Sequence, residues 1–193
     1  MKPVLTAGDF IRAAATLQCE AAVIRAFAEK ESRGGGFLKG QILTVRFEGH
    51  IFRRETDRKF DSSNPTLSHK YMPNCPYNRG TISDWRRLEQ ARQLAGDVAF
   101  ECASYGRFQI MGFHYKMLGY DSAYAMVQAF NVGEAAHLDA FVRFCQTQGL
   151  VPLLRARNWL KLAERYNGLD NASNNYAPEL EALYEHYRPD YPA

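Results

Sequence analysis

The chain has 193 residues, 46% of them hydrophobic, 13% aromatic and 23% charged, with a formal net charge of +3. That is the mix of one ordinary globular domain, long enough to bury a core, and it excludes the disordered, collagen-like and disulfide-scaffold classes. The positive excess is too mild for a nucleic-acid partner, and no apolar run approaches the roughly eighteen residues of a membrane span, so neither nucleic-acid binding nor stable membrane insertion is expected.

In chain order, Thr6 and Asp9 have the spacing of a capping box ahead of a first helix, FIRAAATLQ. A second helix, CEAAVIRAFAEKES, carries Val23, Ile24, Phe27 and Ala28 at helical spacing, and the next member of that apolar stripe is Glu31. A carboxyl group thus ends an apolar face. Gly34, Gly35 and Gly36 stop the helix there, because three glycines cost too much backbone entropy to continue it and permit a sharp turn.

QILTVRFEGHIF then alternates, with Leu43, Val45 and Phe47 on one side and Thr44, Arg46 and Glu48 on the other, as a half-buried strand or hairpin arm does; His50 joins the second face if the strand continues past Gly49. From Arg53 to Ser83 the chain is polar, rich in turn formers and more basic than acidic, which reads as a long irregular loop. Beyond it the pattern is helical to the end, with a break at Ser104 to Gly106 and helix stops at Gly149 and Gly168. Nothing marks a repeat or a second domain, so residues 1–193 are taken as one domain, and as a monomer since no coiled-coil heptads are present. Cys19, Cys75, Cys102 and Cys145 are widely spaced with no CxxC pair, which favours free thiols over disulfides and argues against a structural metal. The start, MKPVLTAGDF, lacks the apolar run of a secretory signal.

Glu31 has the setting a glycosidic general acid needs, since burial against apolar side chains keeps a carboxyl protonated near neutral pH. Position alone equally suits a helix-end Glu bonded to local backbone. Three separated segments add weight: Glu31-Ser32 before the glycines, Ser104-Tyr105-Gly106-Arg107-Phe108-Gln109-Ile110, and Arg165-Tyr166-Asn167-Gly168. In order and spacing they resemble the lysozyme-like superfamily of goose-type lysozymes and lytic transglycosylases. FEGHIF, FDSSNP and SYGRFQIMGFHY narrow the resemblance, over residues 10–187, to the N-acetylmuramidase family found in phage endolysins.

That resemblance implies a mainly α (α+β) lysozyme-like domain with a small β-hairpin after the catalytic helix, hydrolysing the β-1,4 bond between N-acetylmuramic acid and N-acetylglucosamine in peptidoglycan glycan strands without a cofactor or metal, with a lytic transglycosylase or a non-catalytic wall-binding protein as the alternative. Glu31 matches the family's catalytic acid, and Ser104, Gln109, Tyr166 and Asn167 match positions lining its sugar cleft. Among the aromatic residues, Tyr105 and Tyr166 are the ones assigned to sugar contact. Arg107 stands where the superfamily often has Leu or Met, which bears on the packing of its turn. The second carboxyl is assigned to Glu48, on the hairpin wall, with Asp57 and Asp61 as competitors and pairing to Arg46 or His50 as the structural alternative. The separation of the two carboxyls would decide between a retaining route, near about 5 Å, and an inverting one, near about 6.5–9.5 Å. Storage in a host bacterial cytoplasm, with release to the cell wall through a holin-made pore, is expected on the same ground; an exported bacterial effector has the same sequence features.

Overall fold

The computed structural model describes residues 1–32, 35–73, 75–77, 80–167 and 175–191; the side chain of Asn167 lies outside that set, as do Gly34 and Gly168, two of the predicted helix stops. Helix α1 (Ala7–Leu17) starts with the expected capping box, Asp9 Oδ2 accepting the Thr6 backbone N–H at 2.7 Å and its hydroxyl at 2.6 Å. Helix α2 (Ala21–Glu31) is buried on nearly all sides over Ala21 to Ala28, where its alanines admit close neighbours. Arg25 stays within it by laying its guanidinium over the rings of Phe10 and Tyr187, at 5.2 and 4.8 Å.

Directly after the glycine turn come β1 (Phe37–Leu38) and β2 (Ile42–Leu43), an antiparallel hairpin. The alternation of Leu43, Val45 and Phe47 is real, for all three are buried. The segment nevertheless divides in two. Strand β3 (Val45–Phe47) leaves the hairpin and pairs with residues far along the chain, and helix α3 (Gly49–Glu55) replaces the expected continuation of the strand, so His50 is helical. Gly49 permits this by packing against His69, whose Nε2 would lie 2.2 Å from any Cβ placed there.

The predicted loop is therefore shorter than expected, running from the end of α3 to α4 (Thr81–Ala95). Asp61 pins it by accepting from Arg53 Nε at 2.8 Å and Ser68 Oγ at 2.6 Å. After α5 (Val98–Glu101), the predicted break is a second hairpin, β4 (Ala103–Tyr105) and β5 (Ile110–Met111), turning through Gly106 at φ +71° and Gln109 at φ +46°. The small sheet has the order β3-β4-β5, all antiparallel, with Arg46 opposite Ser104 and Ser104 opposite Met111.

Helices α6 (Ala123–Phe130), α7 (Glu134–Thr147), α8 (Val151–Arg155), α9 (Trp159–Asn167) and α10 (Tyr176–Tyr187) follow. α10 and α1 pack on α2, and α7 packs on α1, so the helix ending in Glu31 is the hub of the bundle. No described helix is long and apolar enough to cross a membrane. All four cysteines are free; Cys102 and Cys145 are buried, Cys19 and Cys75 partly so.

Candidate active site

Glu31 is the last residue of α2, held at the mouth of the bundle because the helix stops immediately after it. Burial pushes its carboxyl up to about 7, against the opposing effects of a hydrogen bond from Tyr176 and the charge of Lys30. The Tyr176 hydroxyl donates to Glu31 Oε1, reaching it from the first turn of α10. Tyr176 is itself fixed by the Lys30 ammonium, which lies 4.9 Å from the ring centre and 2.7 Å from Glu179 Oε2. Its role was not visible in the sequence.

Two cavities meet at this carboxyl. One, of about 520 Å³, is walled by the glycine turn, the β1–β2 hairpin and the start of α4, with Gly35, Phe37, Leu38, Lys39, Thr44 and Asp84 among its lining residues. The other, of about 430 Å³, is lined by Glu48, His50, Ile51, Ser104, Met111 and Tyr166. Glu31, Arg46 and Gln109 line both. The pair therefore forms one cleft, with Glu31 where its two arms meet.

Glu48 lines the narrower arm together with Glu31. Arg46 Nε lies 3.1 Å from its Oε1 and His50 Nδ1 3.5 Å from its Oε2, so the predicted face of Arg46, Glu48 and His50 is present even though His50 reaches it from a helix. The competitors lie elsewhere: Asp61 is engaged with Arg53 and Ser68, and neither it nor Asp57 lines either arm. Asp84, unremarked as a site residue in the sequence, does line the wider arm, but it is buried against Arg87 at 3.1 Å. Burial raises its carboxyl, with the Arg87 guanidinium opposing.

Ser104 and Gln109 act as a pair. Ser104 Oγ donates to Gln109 Oε1 at 3.0 Å, while Gln109 Nε2 donates to the Gly106 carbonyl at 2.8 Å, which fixes the amide at the junction of the two arms. Tyr166 lines the narrower arm as part of its floor; its hydroxyl donates to the Phe108 carbonyl at 2.8 Å and its ring packs edge-on against Phe27 and Phe144. Asn167 ends α9 beside it, its side chain outside the described residues.

Tyr105 requires a correction. It is 0% exposed, its hydroxyl donates to the Phe100 carbonyl at 2.9 Å, and it lines neither arm, so it offers no surface to a sugar. In a strand, successive side chains face opposite ways, and Ser104 facing the cleft sends Tyr105 into the core.

The turn following Tyr105 is buttressed from behind. Arg107 is buried there, its Nη1 3.3 and 3.4 Å from the two oxygens of Glu134, and its backbone N–H donates to His137 Nδ1 at 3.1 Å. Since Nδ1 accepts, the ring proton lies on Nε2, which donates to the Phe130 carbonyl at 2.8 Å. Burial holds His137 neutral, down to about 4. His137 also explains two glycines, because a Cβ at Gly36 or Gly106 would lie 2.5 or 2.7 Å from its Nδ1. Among the described residues, no group of three or more His, Cys, Asp or Glu side chains is placed to hold a metal ion.

Comparison with known proteins bears on the family and the fold. The family model described as N-acetylmuramidase matches residues 20–188. Among solved structures, a Burkholderia AP3 phage endolysin is similar at 38% sequence identity and a TM-score of 0.85, over 97% of this chain and 72% of that one. No curated protein sequence matches.

Proposed function

The chain belongs to the N-acetylmuramidase family, a family of peptidoglycan hydrolases, and from that premise we propose that it cleaves the β-1,4 bond between N-acetylmuramic acid and N-acetylglucosamine with Glu31 as general acid. The observation that carries this reading is a carboxyl raised to about 7 by burial at the point where the two arms of the cleft meet. A glycan laid along the cleft presents its bridging oxygen to Glu31, which protonates the leaving group. Glu48, in the narrower arm, directs a water or stabilises the charge that develops on the sugar, with Arg46 and His50 fixing its orientation. Gln109, oriented by Ser104 and the Gly106 carbonyl, positions the glycan at the junction, Tyr166 shapes the floor, and Asn167 adjoins it.

The protein then acts as a monomeric endolysin, held in a bacterial cytoplasm until it is released to the wall. Mass spectrometry of fragments freed from purified peptidoglycan, after reduction to mark new ends, tests the chemistry. Reducible N-acetylmuramic ends from the wild type and none from Glu31→Gln are expected. Anhydro ends would replace hydrolysis by a transglycosylase route, and equal activity of Glu31→Gln would remove Glu31 from its role.

A further inference from the structure

Behind the cleft lies a carboxyl group that the proposed reaction does not use. Glu134 opens α7, is 1% exposed, and gathers donors from three separate segments. Its Oε1 accepts the Gly36 N–H at 2.5 Å, its Oε2 accepts the Leu5 N–H at 3.0 Å, and Arg107 Nη1 approaches both oxygens. Gly36 belongs to the turn leading out of Glu31, Leu5 to the N-terminal segment, and Arg107 to the turn that carries Gln109. The N-terminal segment also reaches the tip of the β1–β2 hairpin, where the Lys2 N–H donates to the Gly40 carbonyl at 2.8 Å, and it is tied to α7 by the Glu134 N–H donating to the Pro3 carbonyl at 3.0 Å. The Gly36 carbonyl in turn accepts the Thr44 N–H at 2.9 Å and the Thr44 hydroxyl at 3.0 Å.

Within this web Thr44 lines the wider arm itself, while Gly36 and Gly40 adjoin in the chain its other wall residues Gly35, Phe37 and Lys39. Glu31 itself is held from another direction, by Tyr176. We propose that Glu134 is a positioning residue for the glycan, fixing the wall of the wider arm through Gly36, so that its loss loosens the grip on substrate and spares the acid step. The proposal rests on the cleft being the glycan site. Burial alone would raise the Glu134 carboxyl, but the N–H groups of Gly36 and Leu5 and the Arg107 guanidinium outweigh it and hold the group below its ordinary value. A charged acceptor therefore faces Gly36 throughout the range in which Glu31 titrates.

The test is steady-state release of reducing ends from soluble, uncross-linked peptidoglycan chains by the wild type and Glu134→Gln. Losing the charge-assisted bond should raise KM about tenfold, the equivalent of roughly 1.4 kcal/mol, and leave kcat within about twofold. The pH at which kcat falls should not move, whereas damage to the acid itself would shift it. A folded Glu134→Gln enzyme with the wild-type KM overturns the proposal, as does one whose kcat falls while KM stays put. Should that variant fail to fold, amide exchange in the wild type decides. A Gly36 N–H protected as strongly as the β3–β4 amides supports the clamp, and exchange at the rate of an open loop overturns it. Inactivity of the wild type would instead count against the muramidase reading.

Discussion

Glu31 and Glu134 sit on opposite sides of the same glycine turn, one ending α2 and the other opening α7, and their carboxyl groups move in opposite directions. For both, burial is the largest influence and favours the protonated form. Glu31 has one hydroxyl donor and a nearby ammonium to set against it, and rises to about 7. Glu134 has two backbone N–H groups and a guanidinium, and falls below its ordinary value. Burial therefore does not by itself decide whether a carboxyl keeps its proton; the number and charge of the donors around it do.

The sharpest way to break this comparison is Glu31→Gln, which should lower kcat by about 10²–10⁴-fold on peptidoglycan while leaving the fold intact. The same variant should be the more stable protein in alkaline solution. Because the folded-state value of Glu31 lies above the unfolded one, its contribution to stability is full at low pH and is lost as pH rises through about 7. Melting curves at pH 8 should accordingly place Glu31→Gln on the order of 5 °C above the wild type, with the gap closing in acid.

Glu134→Leu should do the reverse, costing about 3–5 kcal/mol because it leaves Arg107 buried without its main partner; denaturant titration measures this, and adding Arg107→Leu should restore part of the loss. Smaller is the effect of Gly36→Ala, whose Cβ meets His137 at 2.5 Å, at about 1–3 kcal/mol by the same titration. Tyr176→Phe should have the smallest effect, lowering kcat about 3–10-fold by removing one hydrogen bond. Since that bond favours the charged form of Glu31, its loss should move the fall in kcat to higher pH, as a pH–rate profile would show.

Much of the Glu31 side was legible in the chain, because an apolar stripe ending in a carboxyl before a run of glycines is a local pattern. The same holds for the alternation that buries Leu43, Val45 and Phe47. What failed was periodicity in pieces too short to show it. Three residues in β4 and two in β5 give no repeat to count, so a hairpin read as a break and Tyr105 was assigned to sugar contact. Tyr176 escaped notice for a different reason: its partner lies 145 positions away, and nothing near it in the chain signals that pairing. Glu134 opens α7, where an acidic residue is common and draws no notice, and only the folded chain shows that its oxygens are turned to Gly36 and Leu5.

The cysteines bear on durability. Burial pushes the thiols of Cys19 and Cys102 up to about 11 and 12, and raises that of Cys145 well above its ordinary value, so the reactive thiolate is nearly absent from all three at neutral pH. The chain forms no cross-links and leans on none. The fold thus rests on no disulfide, and Cys19, Cys102 and Cys145 offer an oxidant little thiolate to attack.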